Sequence, residues 1–299
     1  MPDYSKITIE PVQPSWLPSS VHLDILRLDK LHMEISGNKW FKLKYNLLAA
    51  KEAGQQTIIT FGGAFSNHIA ATAAACRDAG LTAVGIIRGE EISADTNATM
   101  AMAAANGMEL RFISRSTYRD MQQPGHPLHQ QLLQEGYVIP EGGHNAAGAK
   151  GCEEILQLCP ASSYTHIICA CGTGTTVAGI INAATAGQHV IAVSVLKGAS
   201  YLETEIRSLL RQAPAATWEL DTTHHGGGYG KINEDLITFM NKFFLETGIP
   251  TDVIYTGKTL MACAELLNQQ YFPDNSRILM IHTGGLQGNR SQPPGRLSF

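Results

Sequence analysis

The sequence predicts an α/β protein with open, mostly parallel, twisted sheets and helices on both faces. Three observations lead there. Short β-type runs alternate with helix-type runs along the 299 residues, the pattern of α/β architecture. Several β-type runs are apolar throughout, as parallel strands covered on both faces must be. Glycine-punctuated breaks follow strands at GGAFSNH (62–68), PEGGHN (140–145), CGTGTT (171–176) and TGGLQG (283–288). Ligands collect beyond the carboxyl ends of strands in such sheets, so these breaks predict one cleft lined by several loops.

Taken in order, the β-type runs at 22–28, 57–61, 82–87, 110–113, 165–170, 189–196 and 277–282 read as strands, with a short one near 138. Helices are expected over 39–53, 67–79, 93–106, 126–135, 147–158, 176–186, 200–212, 231–247 and 258–270. In the first of them Trp40, Phe41, Leu43, Tyr45, Leu47 and Leu48 put apolar side chains on nearly every face, which predicts a buried helix. Yet it starts at Asn38-Lys39 and repeats the lysine at Lys42, although lysine is among the side chains least often buried.

Composition narrows the function. A charged fraction of 16%, a net charge of −4 and no basic run leave no electrostatic footprint for nucleic acid or an anionic membrane, so a small molecule is the expected partner. The six cysteines lack a CxxC or a zinc spacing, and reduced thiols in a cytoplasmic protein are the expectation. No metal site is expected. The N-terminus has no apolar signal region, and no apolar run approaches membrane-spanning length. The length suffices for two domains.

Cys171-Gly172-Thr173-Gly174-Thr175-Thr176 joins a strand to a helix. Glycines let backbone approach an anion, helix-start amides point at it, and the threonine hydroxyls add donors. Neither the Walker spacing nor GxGxxG is present, so a single phosphate is the natural guest; a tight turn of small residues explains the loop equally well. Lys39 and Lys42, three apart, share one side of their helix. A partly desolvated lysine attacks carbonyls, but two solvated or ion-paired lysines fit the spacing as well.

The segment GNKWFKLKY (37–45) resembles the GNKxRKLEY segment of the pyridoxal-phosphate enzymes grouped as D-cysteine desulfhydrases and 1-aminocyclopropane-1-carboxylate (ACC) deaminases. The resemblance continues in family order through GGAFSNH, GTGTTVAG (172–179), YGKINED (229–235), DVIYTGKT (252–259) and HTGG (282–285), over nearly the whole chain. It implies the tryptophan synthase β-like fold, pyridoxal-phosphate fold type II, with the cofactor pyridoxal 5'-phosphate between two domains. The smaller is expected at 54–145, inserted into a larger one of 1–53 plus 146–299. A homodimer is implied as well.

Position by position, the resemblance makes Lys39 the lysine that binds the cofactor covalently, with Lys42 a nearby charge. It makes Asn67 a partner of the cofactor's 3-hydroxyl, and Ser66 a holder of the substrate carboxylate. Gly172, Thr173, Gly174, Thr175 and Thr176 would take the phosphate. Tyr229 and Tyr255 match two active-site tyrosines, and Thr256 falls at the pyridine nitrogen. Plain alternatives stand beside these. Ser66-Asn67 makes an ordinary N-cap, Tyr229 a turn residue and Tyr255 a core tyrosine, while His68 and His282 read as buried, neutral and structural. The pair His224-His225 has no identifiable metal partners.

The resemblance also bears on the reaction. Relatives that open the cyclopropane ring carry glutamate at the position of Thr256 and leucine at that of Thr283. Threonine there implies a weaker electron sink, which suits α,β-elimination from a small amino acid such as D-cysteine. ACC deamination, and a phosphate-ligand binding protein without chemistry, are the other readings. The chain departs from the family pattern at Arg27-Leu28-Asp29 and lacks the arginine many relatives carry after His68.

Overall fold

The computed structural model describes residues 2–35, 37–90, 97–121, 123 and 125–299. In chain order the elements are β1 (Ile9–Val12), β2 (His22–Arg27), α1 (Asn38–Glu52), β3 (Thr57–Gly63), α2 (Asn67–Ala79), β4 (Thr82–Arg88) and α3 (Ala98–Ala105). Then come β5 (Met108–Ile113), α4 (Arg115–Asp120), α5 (Pro127–Glu135), β6 (Tyr137–Ile139), α6 (Ala146–Glu153), β7 (His166–Cys171) and α7 (Thr175–Ala183). The chain closes with β8 (His189–Ser194), α8 (Leu202–Ser208), β9 (Thr217–Asp221), α9 (Glu234–Thr247), α10 (Thr256–Asn268) and β10 (Arg277–His282). Residues 93–96 of the expected 93–106 helix lie outside the described residues. Three elements were not anticipated: β1, α4 and β9.

Two compact units result, one of Lys39–Gly151 (Pro2 counted with it), the other of Asp3–Asn38 with Cys152–Phe299. Helix α1 packs with the first. Asn46 Nδ2 donates to Asn145 Oδ1 at 3.2 Å, Lys51 Nζ donates to the Ala79 carbonyl at 3.0 Å, and a Cβ on Gly151 would lie 1.8 Å from the Phe41 carbonyl oxygen. On these contacts the division falls at residue 38, whereas the sequence expectation put residues up to 53 with the larger part. Helix α1 is also less enclosed than its composition suggested. Phe41, Leu43 and Leu47 are buried, but Trp40 and Tyr45 are only half-buried and Leu48 is exposed.

The first unit carries a sheet of order β5-β4-β3-β6 in which every pairing is parallel. Ile59 and Phe61 of β3 and Val84 and Ile86 of β4, two apart on each strand and so on one face, pack with Tyr118 of α4 and Leu132 of α5. Helix α2 buries Ala70, Ala71, Ala73, Ala74 and Ala75, small side chains that let it lie close to its neighbours.

The second unit carries a six-stranded sheet of order β1-β2-β10-β7-β8-β9. Only the β1–β2 pairing is antiparallel. Leu23 and Ile25, Ile278 and Met280, and Ile191 and Val193 share a core with Phe243 of α9 and Leu260 and Leu267 of α10. Parallel pairing sets the carboxyl ends of β2, β10, β7 and β8 at one edge. The register, with His282 opposite Arg27 and Cys171 opposite Ser194, brings the segments after residues 27, 171 and 282 to that edge. Among the described residues no helix is long and apolar enough to cross a membrane.

Candidate active site

In the Lys39–Gly151 unit, the expected residues sit at the starts of two helices. Lys39 is the second residue of α1 and half-buried; Lys42, one turn on, is 5% exposed. His68 feels both. Burial, then the charge of Lys42, then that of Lys39 push its pKa down to about 3, so it stays neutral. Thr60 fixes its tautomer: the hydroxyl donates to the Ile139 carbonyl at 2.8 Å, so at 2.9 Å it accepts from His68 Nε2. His68 Nδ1 is buried and has no hydrogen-bond partner among the described residues.

Ser66 caps α2, accepting the Ile69 N–H at 3.3 Å. The turn before it needs glycine, since a Cβ on Gly62 would lie 2.7 Å from Ser66 Oγ. The N-cap reading of Ser66 is therefore sound, but it uses only a lone pair. Among the described residues the hydroxyl hydrogen of Ser66 has no acceptor, and the amide of Asn67, 8% exposed, makes no hydrogen bond. Both remain available to a ligand.

In the other unit, β7 runs into the loop at Gly172 and α7. Gly174 occupies the N-cap in a left-handed conformation (φ +81°) with no side-chain cap. A Cβ on Gly172 would stand 3.2 Å from the Tyr255 ring. Thr173 Oγ1 lies 3.1 Å from Thr175 Oγ1, and Thr175 and Thr176 are buried. Thr176 Oγ1 accepts from Asn38 Nδ2 at 2.7 Å, and its hydroxyl hydrogen has no acceptor among the described residues.

The Gly37-Asn38 pair that opens α1 has a physical reason here. Gly37 adopts φ +66°, and a Cβ on it would fall 1.9 Å from the Thr283 carbonyl oxygen. The Asn38 N–H donates to that oxygen at 3.2 Å while its side chain holds Thr176. Residues 37 and 38 thus tie the end of β10 to the start of α7.

The tyrosines meet. Tyr229 and Tyr255 stack edge-on with ring centroids 6.2 Å apart, and Tyr255 borders Gly172. Thr256 behaves otherwise than expected. It is fully buried, its hydroxyl donates to Asp252 Oδ1 at 2.7 Å and accepts the Asp252 N–H at 2.7 Å. A hydroxyl has one hydrogen, so here Thr256 offers none to a ring nitrogen. Asp252 in turn is used up: Oδ1 also takes the Thr256 N–H at 2.7 Å, and Oδ2 takes the N–H groups of Ile254 and Tyr255 at 2.9 Å each. It closes the start of α10. Thr283 is buried as well, and its side-chain hydroxyl makes no hydrogen bond among the described residues.

Beneath Thr283 lies an ion cluster. Arg27 donates twice to Asp29, at 2.8 and 2.7 Å, and once to Glu10 at 2.8 Å. His282 Nδ1 lies 3.1 Å from Asp29 Oδ1, and Nε2 donates to the Pro250 carbonyl at 2.8 Å. Burial pushes the Asp29 carboxyl up, but His282 and Arg27 outweigh it and hold the pKa below the ordinary value. The departure at Arg27-Leu28-Asp29 is therefore a support for the β10 end. His224 pairs with Asp221 and lies 3.4 Å from Glu265, which accounts for it without a metal.

Residues 22–284 match the family model described as "Pyridoxal-phosphate dependent enzyme". The chain is 31% identical over 297 residues to the bifunctional D-cysteine desulfhydrase/1-aminocyclopropane-1-carboxylate deaminase, mitochondrial, of Arabidopsis thaliana, covering 91% of this chain and 74% of that one. The crystal structure of an ACC deaminase homologue superposes with a TM-score of 0.80 at 25% identity, covering 95% of this chain and 90% of that one. A solved O-ureido-L-serine synthase (TM-score 0.68, 14% identity, 96% and 91% covered) shares the fold. The chain belongs to the pyridoxal-phosphate dependent enzyme family.

Proposed function

We propose that this enzyme is a lyase that eliminates the β-substituent of D-cysteine or a similar small amino acid, releasing sulfide from D-cysteine and an aminoacrylate that water hydrolyses to pyruvate and ammonia. The residues present fit the cofactor. Gly172 and Gly174 bring backbone without side chains of their own to the start of α7, and among the described residues Thr176 keeps an uncommitted hydroxyl hydrogen and Asn67 an unused amide. Lys39 would hold the cofactor covalently beside the charge of Lys42. Asn67 would meet its 3-hydroxyl, Gly172 to Thr176 its phosphate, and Thr283 rather than Thr256 its ring nitrogen. When bound, pyridoxal phosphate supplies an electron sink for the charge left at the substrate's α-carbon.

The chain's own groups do the rest. The Lys39 amine, half-buried at the start of α1, takes the α-proton. The Ser66 hydroxyl donates to the substrate carboxylate, and Tyr229 and Tyr255 position the substrate and move protons. One observation carries the choice of elimination. Thr256, which the resemblance sets at the ring nitrogen, and Thr283 carry no charge, and the carboxylate bonded to Thr256, Asp252, spends both oxygens on the start of α10. Asp252 would then not hold a proton on the ring, and the sink would be weak. Loss of a thiolate relieves charge at the α-carbon, and ring opening of ACC demands more of the sink.

ACC deamination is the second reading, since the Arabidopsis relative is named for both activities. Product analysis decides between them: pyruvate and sulfide from D-cysteine are expected, whereas 2-oxobutanoate from ACC as the main product would overturn the argument. Thr256→Glu combined with Thr283→Leu should move turnover toward ACC. Lys39→Ala should lose the visible absorbance of the bound cofactor, and turnover should fall by about three orders of magnitude.

A further inference from the structure

Lys258 has no place in the reading above, yet it is one of the largest fully buried side chains in the protein, 2% exposed. It stands two residues beyond Thr256 on α10. Its Nζ donates to the Gly228 carbonyl at 2.6 Å and to the His225 carbonyl at 3.2 Å. Both acceptors belong to the loop His225-Gly226-Gly227-Gly228-Tyr229-Gly230. Four of its residues are glycines in left-handed backbone, with φ of +59°, +86°, +107° and +69°. Such a loop has much conformational entropy to lose. Its internal bonds include the Gly228 N–H to the His225 carbonyl at 3.2 Å, the Lys231 N–H to the Gly228 carbonyl at 3.1 Å, and the Gly227 N–H to His225 Nδ1 at 3.0 Å.

Glycine is needed where the lysine passes. A Cβ on Gly226 would lie 3.2 Å from both Cδ and Cε of Lys258. The loop's product is the placement of Tyr229, which is 49% exposed and has its ring against Tyr255, itself against Gly172. We infer that Lys258 is a positioning residue, whose buried ammonium fastens the glycine loop at two carbonyls and so sets Tyr229 against Tyr255. The inference rests on the reading of Tyr229 as a substrate-positioning residue.

Burial is not neutral for this ammonium. It pushes the Lys258 pKa down to about 8, with Asp252 opposing. The loop itself carries His225 and Tyr229, the latter against Tyr255, and is bordered by Lys197 (3.2 Å from a Cβ on Gly228) and Lys231 (3.2 Å from a Cβ on Gly227); His224, just before it, pairs with Asp221 and lies 3.4 Å from Glu265. Above pH 8 the two bonds to the carbonyls lose their charge assistance, and the loop loosens.

The test uses Lys258→Met, Lys258→Arg and Tyr229→Phe in the full-length protein. Backbone hydrogen exchange over 225–231 should quicken about tenfold in Lys258→Met with and without cofactor, and Lys258→Arg should restore part of the protection. The KM for D-cysteine should rise in Lys258→Met more than kcat falls. Tyr229→Phe should then cost less in Lys258→Met than in the wild-type background, as coupled residues require. Unchanged exchange, or effects that simply multiply, would overturn the inference. If Tyr229→Phe leaves turnover untouched, the role given to Tyr229 fails, and exchange alone decides the anchoring. Wild-type protein supplies a check that needs no variant: exchange over 225–231, corrected for its intrinsic pH dependence, should rise with a midpoint near pH 8. Flat corrected exchange from pH 7 to 9 would count against the inference.

Discussion

Two helices of the same unit begin in opposite ways. At α10 the chain closes its own helix start, because Asp252 takes three N–H groups and a hydroxyl, all between 2.7 and 2.9 Å. At α7 the N-cap is Gly174, left-handed and without a side chain to cap anything. Every helix start gathers N–H groups and the positive end of the helix dipole. One of these starts is quenched by a resident carboxylate, and the other is dressed with glycine and threonine. An anion has a reason to visit only the second. Thr256 is silent for the same reason: its hydroxyl belongs to the closure of α10.

The sharpest way to break this comparison is to give α7 the carboxylate that α10 has. Gly174→Asp should weaken pyridoxal phosphate binding by about 100-fold, roughly 3 kcal/mol from like-charge repulsion. Gly174→Ala, which adds no charge but carries the left-handed strain of ~1–2 kcal/mol and a Cβ 3.0 Å from Ile206 Cγ1, should cost about tenfold. Titration of apo-protein with the cofactor measures both, and equal losses would show that charge at this helix start is irrelevant.

The converse change acts on stability. Asp252→Ala removes a buried carboxylate that takes three N–H groups and strands the Thr256 hydroxyl, for an expected loss of ~2–3 kcal/mol in denaturant unfolding. A loss below about 0.5 kcal/mol would mean that α10 closes without it.

A third effect concerns the other unit, where the helix start at α2 sits beside two lysines. His68 has a folded-state pKa of about 3, against 6.5 for the unexposed-to-charge reference. Between those values the unfolded chain binds the proton that the folded chain refuses. Stability is therefore intact above pH 6.5 and falls as pH drops toward 3, at up to ~1.4 kcal/mol per pH unit from this group. Unfolding followed from pH 7 to 4 should show a shallower slope in His68→Leu, and identical slopes would contradict the assignment. The smallest expected effect is that of Thr283→Val, which keeps shape and removes the spare hydroxyl. Stability should hold within about 0.5 kcal/mol while elimination slows by tenfold or less.

The order of strands and helices was readable because their cause is local. Apolar runs such as TIITF and HVIAVSVL bury both faces, and the helix at 67–79 announces itself through Ser66 before it and Gly80 after it, a residue that takes φ +68°. What escaped was peripheral. Strands β1 and β9 are the two edges of their sheet, short and half-exposed, and β1 contains Pro11, which an edge tolerates because it needs no ladder N–H there. Helix α4 is polar, six residues long, and shows its purpose only in the burial of Tyr118.

By itself the sequence determined the α/β class and the glycine loop before α7, which follow from residue type and near neighbours along the chain; Lys39, Ser66 and Asn67 were singled out only by the family resemblance. Tertiary structure alone decided which polar groups are already engaged. That Thr256 serves Asp252, that Asn38 serves Thr176 from 138 positions away, and that Lys258 holds a loop 30 positions before it depend on contacts with no local trace. A hydrogen bond has a fixed capacity for partners, and only the folded chain shows where that capacity has gone.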